Sequence, residues 1–293
     1  MPKTAPLRAA LWMIGATLSF SSMALAGRAI AVELDTFELM LFRSLIGVVI
    51  ITTIAVAMKR TAEIERRDMP LHLFRNIGHF TGQNLWFFAV AVIPLAQLFA
   101  LEFTTPLWIA LLAPIFLGEK YTRARLLAVA IGFLGILLVA QPGQIEISGG
   151  VIAAAGSAIG FAVSLMVTKR LTQRGHSVLN ILFWLTVTQS IFALVCAGYD
   201  GDIALPSLNG LPFVVIVSVA GLSAHFCITT ALSLAPATFV APLDFIRLPL
   251  IGLVGYLFYN ETINLVMVIG AVLILSANLV NLRAEQRRQN VRA

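Results

Sequence analysis

Residues 94–119 read PLAQLFALEFTTPLWIALLAPIFLGE, and residues 236–261 read PATFVAPLDFIRLPLIGLVGYLFYNE. At an offset of 142 residues, Pro94 meets Pro236, Glu102 meets Asp244, Phe103 meets Phe245 and Glu119 meets Glu261. Each stretch is apolar over a length that crosses a bilayer, about 20 residues. Each also carries an acid in its interior and two interrupting prolines, Pro106 and Pro114 in one, Pro242 and Pro249 in the other. Upstream, an offset of 141 relates Gly15, Phe20 and Arg28 to Gly156, Phe161 and Lys169. No single match is distinctive. The ordered series marks an internal duplication of nearly half the chain.

The rest of the sequence is as apolar as these two stretches. Of its 293 residues, 59% are hydrophobic and 12% charged, with a mean hydropathy of +0.93. Soluble domains carry roughly 25% charged residues, so a soluble, a disordered or a secreted disulfide-rich protein is excluded. Ten apolar runs are expected to be spans: 9–30, 36–57, 72–92, 94–117, 124–140, 149–169, 177–198, 211–233, 236–258 and 263–282. Helices are the form expected, because lipid offers no partner to open backbone groups. The fold class is thus an all-α polytopic membrane protein with ten transmembrane helices. They fall into two five-helix repeats, 8–140 and 149–282, followed by a basic cytoplasmic tail at 283–293. The short connections at Ile93-Pro94 and Ala235-Pro236 make their flanking spans antiparallel hairpins. Lys3, Arg8 and the Ala24-Leu25-Ala26 triplet imitate a signal peptide, but the length of the run and its recurrence at 149–169 favour a retained first helix. Cys196 and Cys227 sit inside apolar runs and are expected to be buried small hydrophobes.

Net charge is +6 and the isoelectric point about 9.8, yet placement argues against nucleic acid. Sixteen lysines and arginines fall in the termini and alternate loops, from Lys3 and Arg8 to Arg287, Arg288 and Arg292, and none in the remaining loops. Those other loops hold Glu33, Asp35, Glu146, Asp200, Asp202 and Glu261. By the positive-inside rule both termini are cytoplasmic, in the plasma membrane, or the inner membrane of a Gram-negative cell. Because five is odd, the second repeat enters from the opposite side. Inverted repeats suit alternating access.

A charged side chain at a helix centre costs about 2.5–3.5 kcal/mol on insertion scales, so Arg43, Glu102, Asp244 and Arg247 should face the protein interior with partners. Asp244 and Arg247 are three residues apart and share a helix face. On the third span, Asn76, His79 and Gln83 form a polar stripe with Trp86 beyond it. On the eighth, Ser218, His225 and Thr229 form another. The candidate substrate-binding residues are therefore Arg43, His79, Gln83, Trp86, Glu102, His225, Asp244 and Arg247. Satisfied pairs that only fix helix packing explain the same residues equally simply. Arg75 and Arg28 are expected at the interface, snorkelling, and Glu119 and Glu261 as structural turn residues. Gly156 and Gly160 favour close helix packing, within the chain or in a homodimer.

Gly118-Glu119-Lys120 and Asn260-Glu261-Thr262 after the fourth and ninth spans, Phe42-Arg43, Leu73-Phe74-Arg75 and Ala241-Pro242 together resemble the EamA-type drug/metabolite transporter superfamily. The likeness runs from about residue 8 to 282, and within the superfamily is greatest to the branch containing S-adenosylmethionine uptake carriers. That branch places an arginine before an acid after the Ala-Pro pair, whereas here Asp244 precedes Arg247. The resemblance implies ten helices, a central cavity and carriage of small organic metabolites. No phosphate-cradling loop, zinc-protease or hydrolase motif occurs, and no metal-ligand spacing. The expectation is a secondary transporter for a small polar, charged or zwitterionic, amino-acid-like metabolite, with protons as a candidate coupling ion. It is not expected to be an enzyme and needs no cofactor or metal; its partners are the substrate and the lipid bilayer, and it acts as a monomer or homodimer. An exporter of the same fold, a channel or a lipid-handling protein are the alternatives.

Overall fold

The computed structural model describes residues 6–117, 123–141, 148–199, 201–234, 240 and 243–292. Gly118-Glu119-Lys120, Ala235-Pro236 and Ala241-Pro242 lie outside the described residues, as do Lys3, Glu146 and Asp200. The described residues contain helices and no strand. In order, the α-helices are α1 (Pro6–Ile30), α2 (Thr36–Ala57), α3 (Met69–Val92), α4 (Leu95–Glu102), α5 (Thr105–Leu117) and α6 (Arg123–Ala140). They continue with α7 (Gly149–Gln173), α8 (Val178–Ala197), α9 (Leu211–Leu234), α10 (Arg247–Tyr259) and α11 (Leu265–Arg292). The basic segment from Arg283 continues α11 as helix, which its Ala, Glu, Gln and Arg residues favour.

Seven stretches among the described residues are long and apolar enough to cross a membrane: α1, α2, Leu95–Leu112, α7, α8, α9 and α11. The apolar helices α6 and α10 are shorter. In α3, His72, Arg75, Asn76, His79, Gln83 and Asn84 interrupt the apolar run, and all six are buried. Outward faces are apolar instead, as at Leu7, Leu11, Ile14 and Leu18 along α1. Polar residues inside and leucines outside reverse the soluble pattern. The surroundings of this bundle are lipid.

The expected 94–117 span is broken. A turn at Phe103–Thr104 separates α4 from α5, and a second turn at Phe245–Ile246 precedes α10. The two turns stand 142 residues apart, the offset of the sequence repeat. Pro106 has no N–H for the Glu102 carbonyl, and the Thr105 hydroxyl donates to that oxygen at 2.7 Å instead. The Phe103 carbonyl, also released, accepts from the Asn278 amide at 2.6 Å. Pro114 interrupts nothing: α5 runs through it to Leu117.

Helices pair across the two halves of the chain. The most extensive contacts are α1 with α9, α3 with α7, α6 with α11 and α2 with α8. Glycines permit two of these approaches. A Cβ on Gly160 of α7 would lie 2.8 Å from the Gly78 carbonyl oxygen and the Gly82 Cα of α3. One on Gly135 of α6 would lie 2.7 Å from the Gly270 carbonyl of α11. Such contacts need small residues, and they are where Gly160 is used within this chain.

Candidate functional site

Glu102 closes α4 and Arg247 opens α10, each at the helix end that its charge disfavours, since the macrodipole is negative at the C-terminus and positive at the N-terminus. They offset one another. Arg247 Nη2 donates to Glu102 Oε1 at 2.9 Å and to Asp244 Oδ2 at 3.2 Å. Trp86 Nε1 donates to the other Glu102 oxygen at 2.7 Å. The guanidinium lies over three ring faces, with Phe20, Phe99 and Phe103 centroids at 4.6, 4.9 and 5.1 Å. Three aromatic faces around one cation, away from water, form a cation–π cage. Arg247 is 3% exposed, whereas the Glu102 and Asp244 side chains keep 16% and 21%. The paired acids therefore border open space at helix breaks that the sequence places in mid-membrane.

Phe20 links this cluster to a second one. Its other neighbour is His225, ring centroids 5.9 Å apart, and His225 in turn lies 6.1 Å from His79. His79 packs against Phe161 at 5.7 Å and lies 3.4 Å from the Ser164 hydroxyl through Nδ1. Its Nε2 is buried without a partner. Arg43 reaches the same region from α2, since a Cβ on Gly221, one turn from His225, would lie 2.7 Å from its Nη2. Gln83 faces elsewhere and accepts from Gln189 Nε2 of α8 at 2.7 Å.

The helix breaks, the buried charges and the repeated architecture have counterparts in known proteins. The sequence matches the EamA-like transporter family twice, over residues 7–141 and again over 148–283. The chain belongs to that family. It is an integral membrane protein and a transporter of small molecules, as its relatives are named. A riboflavin transporter of Rhizobium johnstonii is 31% identical over 289 residues, covering 96% of this chain and 92% of its own. An S-adenosylmethionine uptake transporter of Rickettsia bellii is 23% identical, covering 94% of each. A pseudopaline exporter of Pseudomonas aeruginosa is 27% identical over 265 residues, covering 89% and 91%. A solved crystal structure shares the fold at a TM-score of 0.65 and 18% identity, over 95% of this chain and 98% of that one.

In this EamA-family chain the expected site residues divide in two. Arg247, Glu102, Asp244 and Trp86 form one bonded cluster, and Arg43, His79 and His225 gather beside it. Gln83 belongs to the α3–α8 contact. Arg75 departs from its expected snorkelling position: it is 6% exposed and donates to Thr168 Oγ1 and Asn76 Oδ1, both at 3.0 Å. The α3–α7 glycine contact brings Thr168 close enough to hold it inside. Arg28 is also turned inward, donating to Glu261 and to the Val90 and Ile93 carbonyls, so Glu261 does act as a structural residue. Cys227 is buried, but Cys196 is exposed on the outer face of α8. Sequence reasoning missed Phe20, Phe99 and Phe103 as the cage. The available signal was the four-residue spacing of Phe99 and Phe103, which puts both rings on one helix face.

A further polar group, also unforeseen, joins the ends of α3, α7 and α8. Asp68 accepts from Arg174 Nη1 at 2.5 Å and contacts His176 Nε2 at 3.1 Å, and Asn180 Nδ2 lies 2.9 Å from His176 Nδ1. The hydrogen bond from His176, reinforced by Arg174, holds the Asp68 carboxyl below the usual carboxylate range.

Proposed function

We propose that this protein is a secondary carrier that moves a small polar organic metabolite, charged or zwitterionic, across the plasma membrane by alternating access. In this reading ten spans form two inverted five-span repeats, 8–140 and 149–282, with both termini and the basic segment 283–293 in the cytoplasm. The substrate site is the central region of Arg43, His79, Trp86, Glu102, His225, Asp244 and Arg247, with Gln83 at its α8 edge. The observation that carries the reading is the Glu102–Arg247–Asp244 cluster. It joins two helix breaks that stand 142 residues apart, one from each repeat. If the repeats exchange conformations, this junction is the place that both sides of the membrane reach in turn. The paired matches to one family, and the contacts of α1 with α9 and α3 with α7, support a two-fold relation between the halves.

Two carboxylates share one guanidinium, so protonating either leaves the other to hold Arg247. A proton can thus accompany the substrate without stranding a buried charge. Net direction follows the gradients. The relatives include uptake transporters and an exporter, so export through the same site is the second reading.

The test is a thermal-stability screen of the purified protein against metabolites that include riboflavin and S-adenosylmethionine. A ligand at 100 times its Kd stabilises a folded state by about 2.7 kcal/mol. Hits should show saturable counterflow in proteoliposomes, lost in Asp244→Asn while folded protein persists. Wild-type counterflow in Asp244→Asn would remove the cluster from the mechanism, and single-channel conductance would replace the carrier with a pore.

A further inference from the structure

Of 20 lysines and arginines, six fall within the expected spans; Arg125 and Lys169 stand within one residue of a span end, and Arg28, Arg43, Arg75 and Arg247 stand deeper. Two of these deeper four are answered by carboxylates, Arg28 by Glu261 and Arg247 by Glu102 and Asp244. The other two are not. Among the described residues, Arg43 has one polar contact, the Met40 thioether at 3.9 Å, and its Nε is buried with no partner. Arg75 is held by two neutral oxygens, of Thr168 and Asn76. Asn76 is itself fixed by donating to the Trp184 carbonyl and to Thr188, so the Arg75 guanidinium is set in place rather than trailing toward water.

These two cations belong to one region. Arg43 lies over Gly221, one turn from His225. His225 faces His79, which is one turn from Arg75 on α3. Both imidazoles are within Coulombic reach of both guanidiniums. Two fixed positive charges thus stand around these imidazoles, and among the described residues neither guanidinium has a carboxylate partner. A guanidinium needed only for packing is cheaper with a countercharge, as Arg247 and Arg28 illustrate, because a cation buried alone opposes membrane insertion. The countercharge missing here is one that arrives and leaves.

We propose that the substrate carries an oxyanion, a carboxylate or phosphate, and that Arg43 and Arg75 bind this group while Arg247, beside them in the site, stays paired with Glu102 and Asp244. Guanidiniums suit this group, since their planar forks match oxyanion geometry. Phe161, against His79, gives the site an apolar wall, so a small organic anion fits it better than a bare ion. The proposal rests on the carrier reading for the word substrate, but anion binding is measurable without transport.

The experiment uses the full chain in phosphatidylcholine nanodiscs at constant ionic strength. Unfolding midpoints are measured with benzoate, phenyl phosphate, benzamide and benzylamine. The two anions should raise the midpoint, and the neutral and cationic analogues should not. Arg43→Met and Arg75→Met should abolish the anion shift. Arg43→Met should also leave the ligand-free midpoint unchanged or higher, which removal of a packing residue would not do. Arg43→Lys, which keeps the charge and loses the fork, should retain a reduced shift. Equal stabilisation by benzamide, or an anion shift that survives both methionine variants, overturns the proposal. Stabilisation by added phosphatidylglycerol but by neither soluble anion overturns it too, in favour of a lipid headgroup site. An anion shift without counterflow leaves the anion site standing and defeats the carrier. Counterflow of a cationic or neutral hit, indifferent to Arg43→Met, does the reverse.

Discussion

Arg247 and Arg43 are buried in the same bundle on different terms. Arg247 has two carboxylates, three ring faces and a place at a helix break that its partners also frame. Arg43 has a thioether and the bare backbone of Gly221. In lipid, where water cannot stand in, a cation paired with carboxylates belongs to the architecture, and one without them is open to a ligand's charge. Burial alone did not separate the two cases. The countercharges did, since Arg247 too has nitrogens, Nε and Nη1, buried without a hydrogen bond.

The largest expected effect tests the answered side. Arg247→Met strands Glu102 and Asp244, and breaking a buried pair in this way costs about 3–5 kcal/mol. Detergent-solubilised Arg247→Met should lose its thermal transition or aggregate on size exclusion. Adding Glu102→Gln and Asp244→Asn should recover much of the loss. If Arg247→Met melts like the wild type, the cluster is not structural and the comparison fails. Next in size is Trp86→Phe, which removes the indole donor from Glu102 while keeping the ring. A hydrogen bond to a charged group is worth about 1.5–3 kcal/mol, so a lower melting midpoint is expected, and an unchanged one would show that Glu102 needs Arg247 alone.

Much of this was legible in the sequence. Glu102 and Asp244 were visible as acids in apolar runs, and the 142-residue offset paired them before any contact was known. Eight of the ten runs correspond to single described helices, because apolar length and charge punctuation determine where a chain enters lipid; of the run 236–258, the described part is interrupted by the turn at Phe245–Ile246. The run 94–117 divides at Phe103–Thr104 because Pro106 deprives Glu102 of a backbone donor, and a hydropathy run does not register that loss. The inward turn of Arg75 was hidden for another reason. Its partner Thr168 lies on α7, 93 residues away, and the Gly78–Gly160 approach that brings it near depends on two helices at once. The Asp68–His176 contact, across 108 residues, was invisible for the same reason.

Gly221→Ala sharpens the unanswered side. The new Cβ would stand 2.7 Å from Arg43 Nη2, the end of a flexible side chain that can shift. Stability should change by less than about 1 kcal/mol, while affinity for benzoate falls severalfold. Unaltered affinity would mean that Arg43 does not bind the anion from this position.

The smallest effect calibrates the scale at the bundle's exposed end. Asp68 is held below the usual carboxylate range, so its contribution to stability is present above the unfolded-state value near ~3.9. It is lost as pH falls through the lower folded-state value. Melting midpoints recorded from neutral pH into that acid range should fall less steeply in Asp68→Asn than in the wild type. Parallel curves would show that Arg174 and His176 add nothing measurable there.

The carrier account is tested most directly by asking which side of the membrane reaches the junction. Cys196 and Cys227 are replaced by serine and alanine, and a single thiol is introduced by His225→Cys, beside Phe20 and His79. In oriented proteoliposomes, a membrane-impermeant maleimide is applied to one face or the other. The account predicts labelling from both faces, slowed in each case by benzoate. Labelling confined to one face, whatever ligand is present, would contradict alternating access through this site.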